Sequence, residues 1–237
     1  MINFLIFAGR YHNYVSSYFI YIIPAMLLSL YAQFKIQAVY REYMGRLSSL
    51  GRSGAEVARA ILDKNGLRNV NIKEVPGTLS DFYDPRDKSL SLSRDISDGT
   101  SIASVAVAAH EVGHAIQDKE SYPMLNLRSF MAPAVSISSS LAMYLILGGL
   151  FFNFMKLFDI GIILYGIIVL FTLVTLPVEF NASRRALNEI SAMPGVNEET
   201  IYGSKKVLKA AALTYVAAAF AAISEILRLL SMRRRDD

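Results

Sequence analysis

Residues 100–119, TSIASVAVAAHEVGHAIQDK, decide how the rest of this chain is read. The run from Thr100 to Ala109 is small, apolar and free of Gly and Pro, which suits a buried helix. His110 and His114 stand four residues apart. On a helix they differ by about 40° in azimuth and roughly one turn in height, so both imidazoles leave the same face and can share one metal ion. Glu111 is turned about 100° from His110. That makes it a poor third ligand but lets it reach a water held by the metal, as a general base does in metal-assisted hydrolysis. Gln117, Asp118 and Lys119 turn the helix polar, and Pro123 blocks its continuation.

Composition says where such a helix works. A mean hydropathy of +0.35, with 53% hydrophobic and 19% charged residues, is too apolar for an ordinary soluble domain. Residues 15–34, VSSYFIYIIPAMLLSLYAQF, carry no charge and are long enough to cross about 30 Å of hydrocarbon. A signal peptide fits less well, because the apolar core is too long and no small-residue cleavage site follows it. Pro24 is tolerated in a membrane helix and is expected to bend it. Two further spans, 130–152 and 160–178, read as a helical hairpin around a turn-like stretch from Asn153 to Asp159. The segment 207–230 is interrupted by Lys209, Glu225 and Arg228, and reads as a fourth span or as a buried or interfacial helix. Glu225 and Arg228 are expected to form an i,i+3 ion pair.

Lys35, Arg41, Arg46, Arg52 and Arg59 follow the first span, whereas only Arg10 precedes it. The positive-inside rule puts residues 36–129 in the cytoplasm, and 179–206 return to that side. Arg233, Arg234 and Arg235 conflict with the rule if the last segment crosses. The expected partners are a lipid bilayer and no nucleic acid, because basic membrane flanks account for a net charge of +4 and a pI near 9.2. Without repeats or low-complexity tracts, residues 1–237 read as one membrane-associated unit.

With no cysteine, the metal ligands are His, Asp or Glu. His12, one of three histidines, precedes the first span and falls across the membrane from the other two. The third ligand is therefore expected to be a carboxylate. Glu179 stands at the cytoplasmic mouth of the third span, with Asp81, Asp118, Glu120 and Glu189 as rivals.

Several separated segments carry a family resemblance: AQFKIQAVYREYMGRLSSLGRSGAEVARAILDKNGL, YDPRDKSLSLS, SIASVAVAAHEVGHAIQD, LPVEFNASRRAL and LTYVAAAF. From about residue 18 to 230 the chain resembles the YugP-type family of bacterial membrane zinc metallopeptidases, which is broadly similar to gluzincins. The resemblance implies one Zn²⁺ per chain, held by His110, His114 and Glu179, with Glu111 as catalytic base. It also implies a polypeptide substrate and a multi-pass place in the bacterial cell membrane. Two positions depart from the pattern. Many gluzincins have Asp four residues after the ligand Glu, where this chain has Ser183, leaving Asn181, Ser183 or a backbone carbonyl to orient a histidine. The family often has His before Tyr83, where this chain has Phe82.

The fold expected is mainly α and membrane-integral: a zincin-like H-E-x-x-H helix, a small β-ribbon and three to four transmembrane helices. Between the first span and the metal helix, Ser53 and Glu56 form a capping box at the start of a helix that Gly66 closes. Residues 70–75 and 90–92 alternate as strands, with turn chemistry at 84–87. Such a ribbon can pair with an extended peptide. Arg184, Arg185, Tyr202 and Tyr215 are the available oxyanion donors. The expected activity is zinc-dependent endopeptidase cleavage near the cytoplasmic membrane face. The alternative is a regulatory or binding membrane protein with structural zinc; a transporter is disfavoured by nearly uncharged spans without paired repeat halves.

Overall fold

The computed structural model describes residues 18–233. A π-helical turn at Tyr18–Ile22 leads into α1 (Ile23–Met44), followed by α2 (Gly54–Lys64), β1 (Asn71–Val75), β2 (Phe82–Asp84) and β3 (Ser89–Ser93). Then come α3 (Arg94–Ser97), α4 (Ile102–Lys119), α5 (Pro123–Phe151), α6 (Met155–Ser191) and α7 (Glu198–Arg233). His12 and Arg234–Arg235 lie outside the described residues.

Among the described residues, four helices are long and apolar enough to cross a membrane: Phe19–Met44, α5, α6 and α7. The windows 160–178 and 207–230 fall inside α6 and α7, 130–152 runs to the C-terminal end of α5, and 15–34 overlaps Phe19–Met44, with residues 15–17 outside the described residues. The segment from Asn153 to Asp159 is less of a turn than its composition suggests, because α6 resumes at Met155 and Asn153 alone takes a left-handed φ of 53°. α7 runs unbroken through Glu225 and Arg228, whose ion pair at 2.5 Å lets both charges sit in the otherwise uncharged stretch 210–232. The described residues fall into two compact units. One holds the stretches up to Ala32, Leu127–Thr175 and from Tyr215 onward. Its packing centres on Phe158, Ile146, Ile162, Leu229 and Met232.

The second unit, Gln33–Asn126 and Leu176–Thr214, surrounds α4. Ser53 accepts from the Glu56 N–H at 3.2 Å, and the Glu56 carboxylate accepts from the Ser53 N–H at 2.8 Å, so the capping box starts α2. Gly66, at φ 70°, follows its end. Val57, Ala58, Ile61 and Leu62 of α2 are buried with Leu90 and Leu92 of β3 and with Ile102, Val105, Ala106, Ala109 and Val112 of α4.

The sheet has strand order β1-β3-β2. β3 pairs parallel with β1, Ile72 opposite Leu90, and antiparallel with β2, Tyr83 opposite Leu90. Residues 70–75 and 90–92 thus pair as expected, but in parallel, and β2 adds a second, antiparallel partner to β3. The Asp84–Asp87 turn joins β2 to β3, and β1 reaches β3 by a crossover. A three-residue strand such as β2 is too short to reveal itself by alternation.

Candidate active site

α4 presents His110 and His114 on one face, with ring centroids 4.9 Å apart and planes at 84°. α6 meets that face with Val178, Glu179, Ala182 and Ala186, all buried at i, i+1, i+4 and i+8. Small residues allow a close approach. A Cβ on Gly113 would lie 2.6 Å from the Ala182 carbonyl oxygen, so only glycine fits there.

Glu179 is 1% exposed and 69 residues from His110 in sequence. Its Oε2 lies 3.2 Å from His110 Nε2 and 3.7 Å from His114 Nε2. One ligand atom from each of the three residues falls within 4.8 Å of the others, so the group could hold a metal ion. Neighbouring ligands in a tetrahedral zinc site with bonds near 2.0–2.1 Å are about 3.3 Å apart, and two imidazole nitrogens with a carboxylate oxygen are a zinc donor set. Spacing and chemistry both fit. Glu179 sits inside α6 rather than at a helix end.

Glu111, also buried, accepts a hydrogen bond on Oε2 from the Tyr83 N–H at 3.1 Å, which ties β2 to α4. Burial pushes the Glu111 carboxyl above its ordinary pKa against the opposing pull of His110 and His114. Burial disfavours the charged form of His114, but the Glu179 and Glu111 carboxylates outweigh it and raise its pKa. Tyr83 reinforces the tie by donating its hydroxyl to Asp118 at 2.7 Å, where Lys88 also binds.

The other nitrogens of the two rings have partners. Ser183 Oγ is 3.2 Å from His110 Nδ1, and Gln117 Oε1 is 3.0 Å from His114 Nδ1. Ser183 thus occupies the place that the missing Asp would take. Asn181 touches neither ring directly and instead accepts from Gln117 and Arg185.

The rival carboxylates are engaged elsewhere. Asp118 faces Tyr83 and Lys88, Glu120 faces Arg185, Glu189 faces Lys64 and Asn65, and Asp81 accepts from Ser93. Of the four oxyanion candidates, Arg185 is bound to Asn181 and Glu120, and Arg184 is exposed. Tyr202 is exposed under the Lys206 ammonium, and Tyr215 is half-buried on α7. Sequence reasoning missed Gln117, Gly113 and the Tyr83 amide. Gln117 alone had a local signal, standing three residues after His114 on the same helix.

The family model described as "Putative neutral zinc metallopeptidase" matches residues 18–234. Among curated proteins, "Putative membrane protease YugP" of Bacillus subtilis (strain 168) is 46% identical over 217 residues, 91% of this chain and 96% of that relative. No solved structure matches the chain. A match across nearly the whole length, spanning both the histidine helix and the apolar helices, places this chain in the neutral zinc metallopeptidase family.

Proposed function

We propose that this protein is a membrane-embedded zinc endopeptidase that hydrolyses peptide bonds of proteins close to the cytoplasmic membrane face, with His110, His114 and Glu179 as ligands and Glu111 as general base. The observation that carries the reading is the buried convergence of both Nε2 atoms on Glu179 Oε2, with a second carboxylate beside them. A zinc ion bound there would supply Lewis acidity, making water acidic enough to ionise near pH 7 and polarising a peptide carbonyl (about 7 for the pKa of such a water).

The chain's own residues do the rest. The Tyr83 N–H holds Glu111 Oε2, leaving Oε1 to accept the proton of the attacking water and return it to the leaving amine nitrogen. The upward-shifted pKa of Glu111 is in the direction that suits a group that must both take and return a proton. β2 is an edge strand of the sheet, which supports pairing with an extended peptide beside Glu111.

Two features support the membrane-proximal, cytoplasmic setting. Glu179 directly follows the apolar run 160–178 in sequence. Lys35, Arg41, Arg46, Arg52 and Arg59 gather on the chain between the first span and the metal helix.

The test is Glu111→Gln in detergent-purified protein, with zinc content and casein hydrolysis followed together. Zinc is expected to stay near one per chain while the rate falls by about 10²-fold or more. Equal cleavage by the variant would sink the assignment of Glu111. Wild-type protein that carries zinc yet cleaves nothing would point instead to a regulatory protein with structural zinc.

A further inference from the structure

The hydrogen bond between Gln117 and His114 leads away from the metal-binding group. Gln117 is fully buried, and its Nε2 donates to the Val178 carbonyl at 2.8 Å and to Asn181 Oδ1 at 2.9 Å. Asn181 Oδ1 also accepts from Arg185 Nε at 2.7 Å, and the Arg185 guanidinium reaches the Glu120 carboxylate at 2.6 Å. Side-chain amides and imidazoles can each face either way, so their orientation must follow from partners that cannot. Two such partners exist. A backbone carbonyl only accepts, so the Gln117 atom facing Val178 is the nitrogen. A guanidinium only donates, so the Asn181 atom facing Arg185 is the oxygen, and that oxygen again requires the Gln117 nitrogen. Both constraints turn Gln117 Oε1 towards His114 Nδ1. An amide oxygen only accepts, so the hydrogen of a neutral His114 ring sits on Nδ1 and the lone pair on Nε2, the atom that faces Glu179.

We propose that Gln117, Asn181 and Arg185 form a relay that holds His114 in the tautomer able to ligate a metal through Nε2, with Gln117 as a positioning residue. The proposal rests on reading His114 as a zinc ligand. A carboxylate often has this task in zinc sites, where it also raises the basicity of the histidine. Here an uncharged amide does it, and the charge that fixes the amide stands two hydrogen bonds further out. His110 differs, because the Ser183 hydroxyl can donate or accept and so sets no tautomer by itself.

Solid-state ¹⁵N NMR of histidine-labelled, metal-free full-length protein in lipid bilayers at alkaline pH reads the tautomer directly. The chain has three histidines, so His12→Gln and His110→Gln variants assign the His114 signals. Zinc affinity is measured in parallel by chelator competition. Wild-type His114 is expected as a single Nδ1–H form. Gln117→Met is expected to mix the tautomers and to weaken zinc binding by about 10- to 100-fold at unchanged helical content. Arg185→Met, made nearer the surface, is expected to do the same more weakly, with Arg185→Lys restoring the wild-type result. If Gln117→Met fails to fold, the Arg185 pair decides alone. A wild-type His114 with its hydrogen on Nε2, or unaltered tautomer and affinity in the variants, overturns the relay. A wild type with the expected tautomer that binds no zinc would instead refute the zinc-peptidase reading.

Discussion

Single polar atoms decide much here, at Ser183 beside His110 and at Asp81 beside Ser93. A hydroxyl at Ser183 Oγ stands 3.2 Å from His110 Nδ1, where a carboxylate would make the ring a stronger ligand. Ser183→Asp is accordingly expected to tighten zinc binding roughly 10-fold in chelator competition, and Ser183→Ala to loosen it. Unchanged affinity in both variants would mean that Ser183 does not orient His110. Asp81 is half-buried and accepts from the Ser93 amide and hydroxyl at 2.7 and 3.0 Å. Burial raises its pKa despite those bonds. The unfolded chain therefore ionises Asp81 at lower pH than the folded chain, and folded stability falls as pH rises from the unfolded pKa to the folded one. Asp81→Asn keeps the acceptor and removes that loss. The variant should match wild type at low pH and melt higher at neutral pH; an equal or lower melting temperature at pH 7 would contradict this.

At the level of elements, the contact between α4 and α6 makes the site. His110 and His114 share a face through helical periodicity alone, but they meet Glu179 only because Gly113 lets the α6 backbone approach at Ala182. Gly113→Ala would force a methyl to 2.6 Å from a backbone oxygen that cannot rotate away. Overpacking of this kind costs about 1–3 kcal/mol. We expect the helices to separate, with a lower melting temperature and reduced zinc content, even though alanine is the better helix former. Wild-type zinc content in this variant would show that the approach is not needed for the site. β2 is positioned by contacts of the same kind, through the Tyr83 amide on Glu111 and the Tyr83 hydroxyl on Asp118.

For the molecule as a whole, a metal held by His110, His114 and Glu179 would couple to the fold. A site made from α4 and α6 exists only in the folded chain, so zinc binding stabilises that state by mass action, about 2.7 kcal/mol at a hundredfold excess over the dissociation constant. Chelation should lower the melting temperature in detergent, and zinc added back should restore it. A melting temperature insensitive to zinc would mean that the three residues do not bind it in the folded protein. At the other end of the helices, Arg233 pairs with Asp159 at 2.7 Å.

The sequence by itself determined what depends on neighbours along the chain. The spacing of His110 and His114, the Ser53–Glu56 capping box, the Glu225–Arg228 pair and the apolar runs of the long helices all follow from periodicity, capping or length. Glu179 was nameable from its family motif, yet its position along the chain did not separate it from Asp118, Glu120 or Glu189. Packing alone brought Glu179 opposite the two rings, set β1 parallel to β3, turned the Tyr83 amide to Glu111 and put Gln117 Oε1 at His114 Nδ1. Each of these depends on atoms brought together by packing, or on an acceptor such as the Val178 carbonyl whose direction is set by the helix that carries it. Nothing in the local order of residues fixes such distances; the close contact of α4 with α6 does.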